Sequence, residues 1–316
     1  MKILLAEHFG TCFGVRDAIA QAEQLAAAGP LTILGELVHN PVVRERLRAQ
    51  GVREASLEEA SGIGISPSRR LYEPEVLPTD HGLEAHATSP RVMITAHGAS
   101  DRNRQKWRSA GYDVVDGTCP LVRHAHEHLK RLVATGYFPV VIGQPGHVEV
   151  RGLTEDFPEA YVLEIEGDVS KLPRRNHYGV ISQTTQPIER VRVLVEAIRK
   201  LNPHAEVRFV DTVCKPTKDR QTALQKLIAQ ADTIVVVGGR ESNNTRQLVA
   251  TCRACGRRAI HIERPEELNA EDFASVETVG LTAGTSTMLE TVEAVFKRLE
   301  EFSSIRSTHP NQKTSL

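Results

Sequence analysis

The chain has 316 residues, 40% of them hydrophobic, 25% charged and 4% aromatic, with a formal net charge of -1. Near-neutral charge excludes a nucleic-acid binder working through a broad basic surface, and the apolar fraction excludes a disordered chain. The length suits one large domain or two to three small ones. No run of 18 apolar residues offers a spanning helix, and Glu7 breaks the opening apolar run before it reaches signal-peptide length. A cytoplasmic protein without nucleic-acid or membrane partners is expected. The five cysteines, at 12, 119, 214, 252 and 255, are too few and odd in number for a secreted disulfide framework. They read as reduced thiols available for catalysis or metal.

In chain order the pattern is a strand followed by an amphipathic helix, repeated. After ILLA come the helical VRDAIAQAEQLAAAG and the strands LTILGELV, RVMITAHG and YDVVDG. LVRHAHEHLKRLVATG is helical and leads to the strands FPVVIGQ and YGVISQ. The helix IERVRVLVEAIRKLN, the strand AEVRFVD and the helix RQTALQKLIAQA follow. The strands DTIVVVGG, RAIHIE and ETVGLTAG complete the series. Alternation of this kind implies an α/β fold with parallel sheets covered by helices. Residues 62–90, with prolines at 67, 74, 78 and 90, have no period and read as an insertion, and the residues after Phe302 read as a frayed polar tail.

A weak internal repeat organises the chain. ILLAEHFGTCFGVRDAIAQ, YDVVDGTCPLVRHAHEHLK and VRFVDTVCKPTKDRQTALQ each carry a strand, a short turn, a Cys and a helix. Cys12, Cys119 and Cys214 are 107 and 95 residues apart, close to a third of the chain. The expectation is three similar α/β domains around one centre, over 13–115, 116–208 and 209–300, the last joined by an N-terminal strand from 1–12 and followed by a flexible tail over 301–316. A Cys at such a helix start favours thiolate, and three converging thiolates suit a soft metal or an iron–sulfur cluster, against the alternative of three small buried hydrophobes. Cys252-x-x-Cys255 lacks a second pair and reads as helix packing, and His124, His126 and His128 as a solvated helix face.

Polar residues recur at the strand ends: His39, His97, His147 with Glu149, Thr184 and Thr185, Ser242 with Asn243 and Asn244, and Ser286. Imidazolium, hydroxyl and amide groups together suit a phosphorylated ligand. His147 and Glu149, two apart, share a face if the segment is extended.

These stretches resemble the 4-hydroxy-3-methylbut-2-enyl diphosphate reductase, or LytB, family. The resemblance rests on CFGVRDAI, VHNPVV, TAHGAS, DGTCPLV, GHVEVRG, SQTT, DTVCKPTKDRQ, ESNNTRQL and TAGTST, in that order, to about residue 300. It implies three α/β domains in a trefoil around a [4Fe-4S] cluster on Cys12, Cys119 and Cys214. It also implies reductive removal of an allylic hydroxyl from a diphosphate substrate, giving isopentenyl and dimethylallyl diphosphates at the end of the methylerythritol phosphate route. By motif position, Glu149, Thr184 and His147 fall at the reacting centre. His39, His97, His147, Thr184, Thr217, Ser242, Asn243, Asn244 and Ser286 fall to substrate binding. An external electron donor of ferredoxin or flavodoxin type, and a monomer or homodimer, follow from the same resemblance. Departures stand at Asp17, Lys215-Pro216 and Asn243. A cluster dehydratase without net electron transfer, and a non-enzymatic cluster- or zinc-binding regulator, are the alternatives.

Overall fold

The computed structural model describes residues 1–57 and 89–308. In chain order, β1 (Lys2–Leu5) and α1 (Phe13–Ala28) precede β2 (Leu31–Leu34), α2 (Pro41–Ala49), β3 (Arg53–Ala55), β4 (Arg91–Ile94), α3 (Asp101–Ser109) and β5 (Asp113–Asp116). Next come α4 (Pro120–Ala134), β6 (Phe138–Ile142), α5 (Val148–Thr154), β7 (Tyr161–Leu163), β8 (His177–Ser182), α6 (Ile188–Leu201) and β9 (Glu206–Phe209). The last third contains α7 (Lys215–Ile228), β10 (Thr233–Val237), α8 (Asn243–Ala254), β11 (Arg258–Ile262), β12 (Thr278–Ala283) and α9 (Leu289–Thr308).

The strands form three four-stranded sheets, ordered β3-β2-β4-β5, β7-β6-β8-β9 and β11-β10-β12-β1, with every pairing parallel. The plan is the same each time, and the edge strands β5, β9 and β1 are the ones that lead into Cys119, Cys214 and Cys12. The expected set of three parallel-sheet α/β units is therefore present. Both faces of each sheet are covered, which is why β6 and β10 are buried at every residue and read as unbroken apolar runs. Ile142, Val180 and Ile198 lie in the core on one face of the second sheet, and Val141, Ile181 and Leu129 in the core on the other.

Short elements escape the sequence pattern. The strands β3 and β7 have three residues each, and α2 and α3 have nine, too few turns for a clear period. The 62–90 stretch lies outside the described residues except at its last two positions. The tail reading needs correction. α9 continues to Thr308, and Val292, Val295, Leu299 and Phe302 carry one apolar stripe onto the third sheet as far as Phe302. Phe302 packs on Phe273 with ring centroids 5.9 Å apart, and the next residue, Ser303, bonds both the amino group and the carbonyl of Met1. Phe302→Ala is expected to lower unfolding stability in urea by about 3 kcal/mol, as for other buried aromatic truncations. A loss below about 1 kcal/mol would show that this end of α9 is not anchored by the core.

Candidate active site

Cys12, Cys119 and Cys214 occupy the same local structure, the N-cap of α1, α4 and α7. Each carbonyl accepts a first-turn helical bond, from Arg16, Arg123 and Lys218. Each cysteine amide donates to a loop of the neighbouring strand: Cys12 to Thr285 after β12 (3.1 Å), Cys119 to Ala96 after β4 (3.0 Å), Cys214 to Thr184 after β8 (3.0 Å). Those loops carry Ser286, His97 and Thr184, so each sulfur is tied by the backbone to a polar residue of the site. The sulfur of Cys119 reaches α1: a Cβ on Gly14 would collide with it. Cys119 and Cys214 each lie within electrostatic reach of Cys12 and Glu149. Thr217, fully buried, bonds Cys214 Sγ at 3.1 Å.

A helix start alone does not make Cys119 or Cys214 a thiolate. Burial raises the Cys119 thiol, and pushes Cys214 up to about 11, against the expectation that the helix termini would favour the anion. Three converging soft sulfur donors, two of them raised by burial so that a positive centre is needed to ionise them, are a donor set that fits an iron–sulfur group. Cys252 is packed in the core beside β10, its thiol pushed up to about 12, and Cys255 is exposed at the end of α8. Cys252 agrees with the packing reading, whereas Cys255 packs against nothing in that core and faces solvent.

Three histidines meet at one point. The ring centroids of His39 and His97 are 4.4 Å apart, and those of His147 lie 5.5 and 5.7 Å from them. His39 Nδ1 pairs with Glu36 at 2.9 Å. His147 is the N-cap of α5, and its Nδ1 accepts the Glu149 N–H at 3.1 Å, so the neutral ring carries its proton on Nε2. Burial lowers His147 to about 3 and takes His97 well below its usual range. Before an anion arrives these two are neutral donors and acceptors rather than the imidazolium expected from their residue type.

Glu149 is 1% exposed, and its Oε1 accepts the Thr184 N–H at 2.6 Å. Burial raises its carboxyl to about 7. The extended segment expected for His147 and Glu149 is instead the start of α5, where their proximity comes from capping. Asn243 Nδ2 donates to Thr185 Oγ1 at 2.9 Å, and Asn244 Oδ1 accepts the Thr285 N–H at 3.1 Å. Ser242 caps α8, and Ser286 Oγ donates to the His39 carbonyl at 3.4 Å. Those polar residues thus knit the three units at their junction.

The sequence reading missed several partners. Asn40 caps α2 and donates to the Ser286 carbonyl at 2.7 Å, and the Asn-Pro at 40–41 was the available signal. Glu36 and Arg220 had no local signal. The solvated reading of the histidine run holds for His124 and His128 but not for His126, which is buried against Asp156 (3.2 Å) and Asp101. Asp156 also accepts the amides of Asp101 and Arg102 at the start of α3, and Lys130 pairs with Asp101 at 2.6 Å. This arrangement joins the first two units. The departures at Asp17 and Lys215 face solvent, paired with Arg16 and Asp219.

The LytB protein family model matches residues 3–300. The chain belongs to the LytB family. Among its LytB relatives, the 4-hydroxy-3-methylbut-2-enyl diphosphate reductase of Geotalea daltonii is 34% identical over 95% of this chain and 97% of its own. The reductase of Aquifex aeolicus is 32% identical over 95% and 96%. A solved (E)-4-hydroxy-3-methyl-but-2-enyl diphosphate reductase, described as the terminal enzyme of the non-mevalonate pathway, is 31% identical with a TM-score of 0.63, over 95% of this chain and all of its own. The Plasmodium falciparum reductase structure shares the fold, with a TM-score of 0.80 at 24% identity over 98% and 88%.

Gly14→Ala places a methyl against the Cys119 sulfur and is expected to cost about 1–3 kcal/mol of stability, as for other overpacked sites. An unchanged thermal midpoint would mean that α1 and Cys119 separate freely.

Proposed function

We propose that this chain is a 4-hydroxy-3-methylbut-2-enyl diphosphate reductase. It takes two electrons and two protons to remove the allylic hydroxyl as water, giving isopentenyl and dimethylallyl diphosphates at the end of the methylerythritol phosphate route. The observation that carries the reading is a single chain of bonds: the Cys214 amide donates to the Thr184 carbonyl, and the Thr184 amide donates to the Glu149 carboxylate, beside the His147 cap. A thiol, a proton-bearing carboxyl and the histidines are thereby held in one small buried volume.

Cys12, Cys119 and Cys214 would hold a [4Fe-4S] cluster, which when bound supplies the electrons and a Lewis-acidic iron not ligated by the protein. The remaining work belongs to side chains. His39, His97 and His147 receive the diphosphate, and an incoming anion favours the protonated forms of His97 and His147, which burial otherwise disfavours. Ser242, Asn243, Asn244 and Ser286 offer hydroxyl and amide donors to its oxygens. Thr184 and Thr217 hold the hydroxyl end of the substrate beside the thiols. Glu149, protonated near neutral pH, gives its proton to the departing hydroxyl oxygen. The dry surroundings that raise its pKa keep that proton from solvent. Electrons arrive from a soluble donor protein of ferredoxin or flavodoxin type, and the reaction is assigned to the cytoplasm. Among the described residues no helix is long and apolar enough to cross a membrane.

The deciding experiment is anaerobic reconstitution with iron and sulfide, then assay with a chemical reductant and the allylic diphosphate. Both isoprenoid diphosphates should form only with reductant. Turnover without reductant would favour a dehydratase, and no turnover with a filled cluster would sink the reductase reading.

Glu149→Gln should keep the cluster and substrate binding but lose turnover by about 10²-fold or more. The same change should stabilise the metal-free protein at high pH. The folded-state pKa of Glu149, raised from 4.5 to about 7, means that folding opposes its ionisation. The resulting cost is absent below pH 4.5 and complete above about pH 7, reaching about 3 kcal/mol. The Gln variant should therefore gain most over the parent at pH 8 and nothing at pH 4, read by urea unfolding.

Asn244→Ala should raise KM by at least tenfold, since a lost charge-assisted bond costs about 1.5–3 kcal/mol. An unchanged KM would remove Asn244 from the diphosphate pocket.

A further inference from the structure

Arg220 lies on α7, 5% exposed, one and a half turns after Cys214. Its guanidinium donates to two backbone carbonyls: Nη1 to Pro216 at 2.8 Å, and Nη2 to Gly10. Pro216 is two residues after Cys214, and Gly10 two residues before Cys12. One side chain therefore joins the first turn of α7 to the loop between β1 and α1, which places two of the three sulfurs.

The charge on this side chain is unusual. Among the described residues Arg220 forms no ion pair with a carboxylate, and its Nε is buried without a hydrogen-bond partner. Its neighbour Asp219 is engaged by Lys215 at 2.7 and 2.8 Å. The anions within electrostatic reach of the guanidinium are, in order, the thiolate forms of Cys12 and Cys214 and then the Asp219 carboxylate, which Lys215 already holds. A buried guanidinium without a counter-ion is strongly unfavourable, so its burial here points to a negative partner that arrives later. Gln or Met in its place would fill the volume without that electrostatic cost.

Resting on the reductase reading above, we infer that Arg220 is a positioning residue with two tasks toward the iron–sulfur group held by Cys12 and Cys214. It fixes the spacing of the two cysteine loops through its carbonyl bonds, and it is the protein's buried counter-charge to the thiolate-bound group. Adding an electron makes that group more negative. A fixed positive charge in a low-dielectric site stabilises the reduced form more than the oxidised form and so raises the reduction potential. Lys at this position would keep the charge but lose the fork that spans both carbonyls.

The test compares reconstituted wild type, Arg220→Lys and Arg220→Gln, without substrate, by redox titration followed through the electron paramagnetic resonance of the reduced cluster. In Arg220→Gln the equilibrium for one-electron reduction should fall at least tenfold, about 59 mV toward lower potential. Arg220→Lys should stay within threefold of wild type. A Gln midpoint equal to that of wild type overturns the inference, as does a Lys midpoint as low as that of Gln. If Gln binds no iron while Lys fills normally, and both metal-free chains unfold at the wild-type temperature, the charge is needed for assembly and the inference stands. Equal loss of iron from both variants overturns the counter-charge role. A wild-type chain that takes up no iron overturns the reductase reading itself, which separates the two failures.

Discussion

Three backbone hydrogen bonds govern this molecule: the amides of Cys12, Cys119 and Cys214 donating to Thr285, Ala96 and Thr184. Each leaves the end of an edge strand for the loop after the strand beside it, so parallel pairing sets the register of sulfur against polar side chain. The cysteine cannot shift along its strand without breaking the ladder, and the loop carrying Ser286, His97 or Thr184 cannot shift without losing a buried amide partner. Since the three sheets share one strand order, the same constraint acts three times, and the three sulfur-bearing edges meet. The close approach of Gly14 to Cys119, where a Cβ would collide, marks how tightly they meet.

Burial sets the electrostatics of this junction. Thiols and a carboxyl are pushed toward their neutral forms, two histidines are neutral, and one guanidinium is buried without a carboxylate partner. Desolvation is the first cause in every case. The fold tolerates the arrangement because each of the three parallel sheets around it carries an apolar core on both faces. A bound cationic centre and an anionic substrate would relieve the same groups that destabilise the metal-free chain, so stability and occupancy are linked.

Much of this was legible in the residues. The strand–Cys–helix repeat carried the three-unit architecture, because strand alternation and helix period are local and the helix starts after Cys12, Cys119 and Cys214 coincide with them. The His and Ser/Asn loops were legible because loops after parallel strands gather at one end of a sheet. Less legible were the short elements, the burial of His126, and the charge states. Asp156, which meets His126 from the loop after α5, is 30 positions away, and no local pattern announces the pairing.

By itself the sequence determined which groups are chemically able to act: three thiols at helix starts, histidines and hydroxyls at strand ends, and one carboxyl two residues from a histidine. Strand pairing and helix capping depend on neighbours along the chain, so their signals survive in one dimension. Tertiary structure alone decided the protonation and partnership of those groups. Burial of Glu149 and His147 moves their pKa values in opposite senses, and Arg220 finds Gly10 across 210 positions. Desolvation and long-range contact are properties of a packed volume, and no stretch of sequence contains a volume.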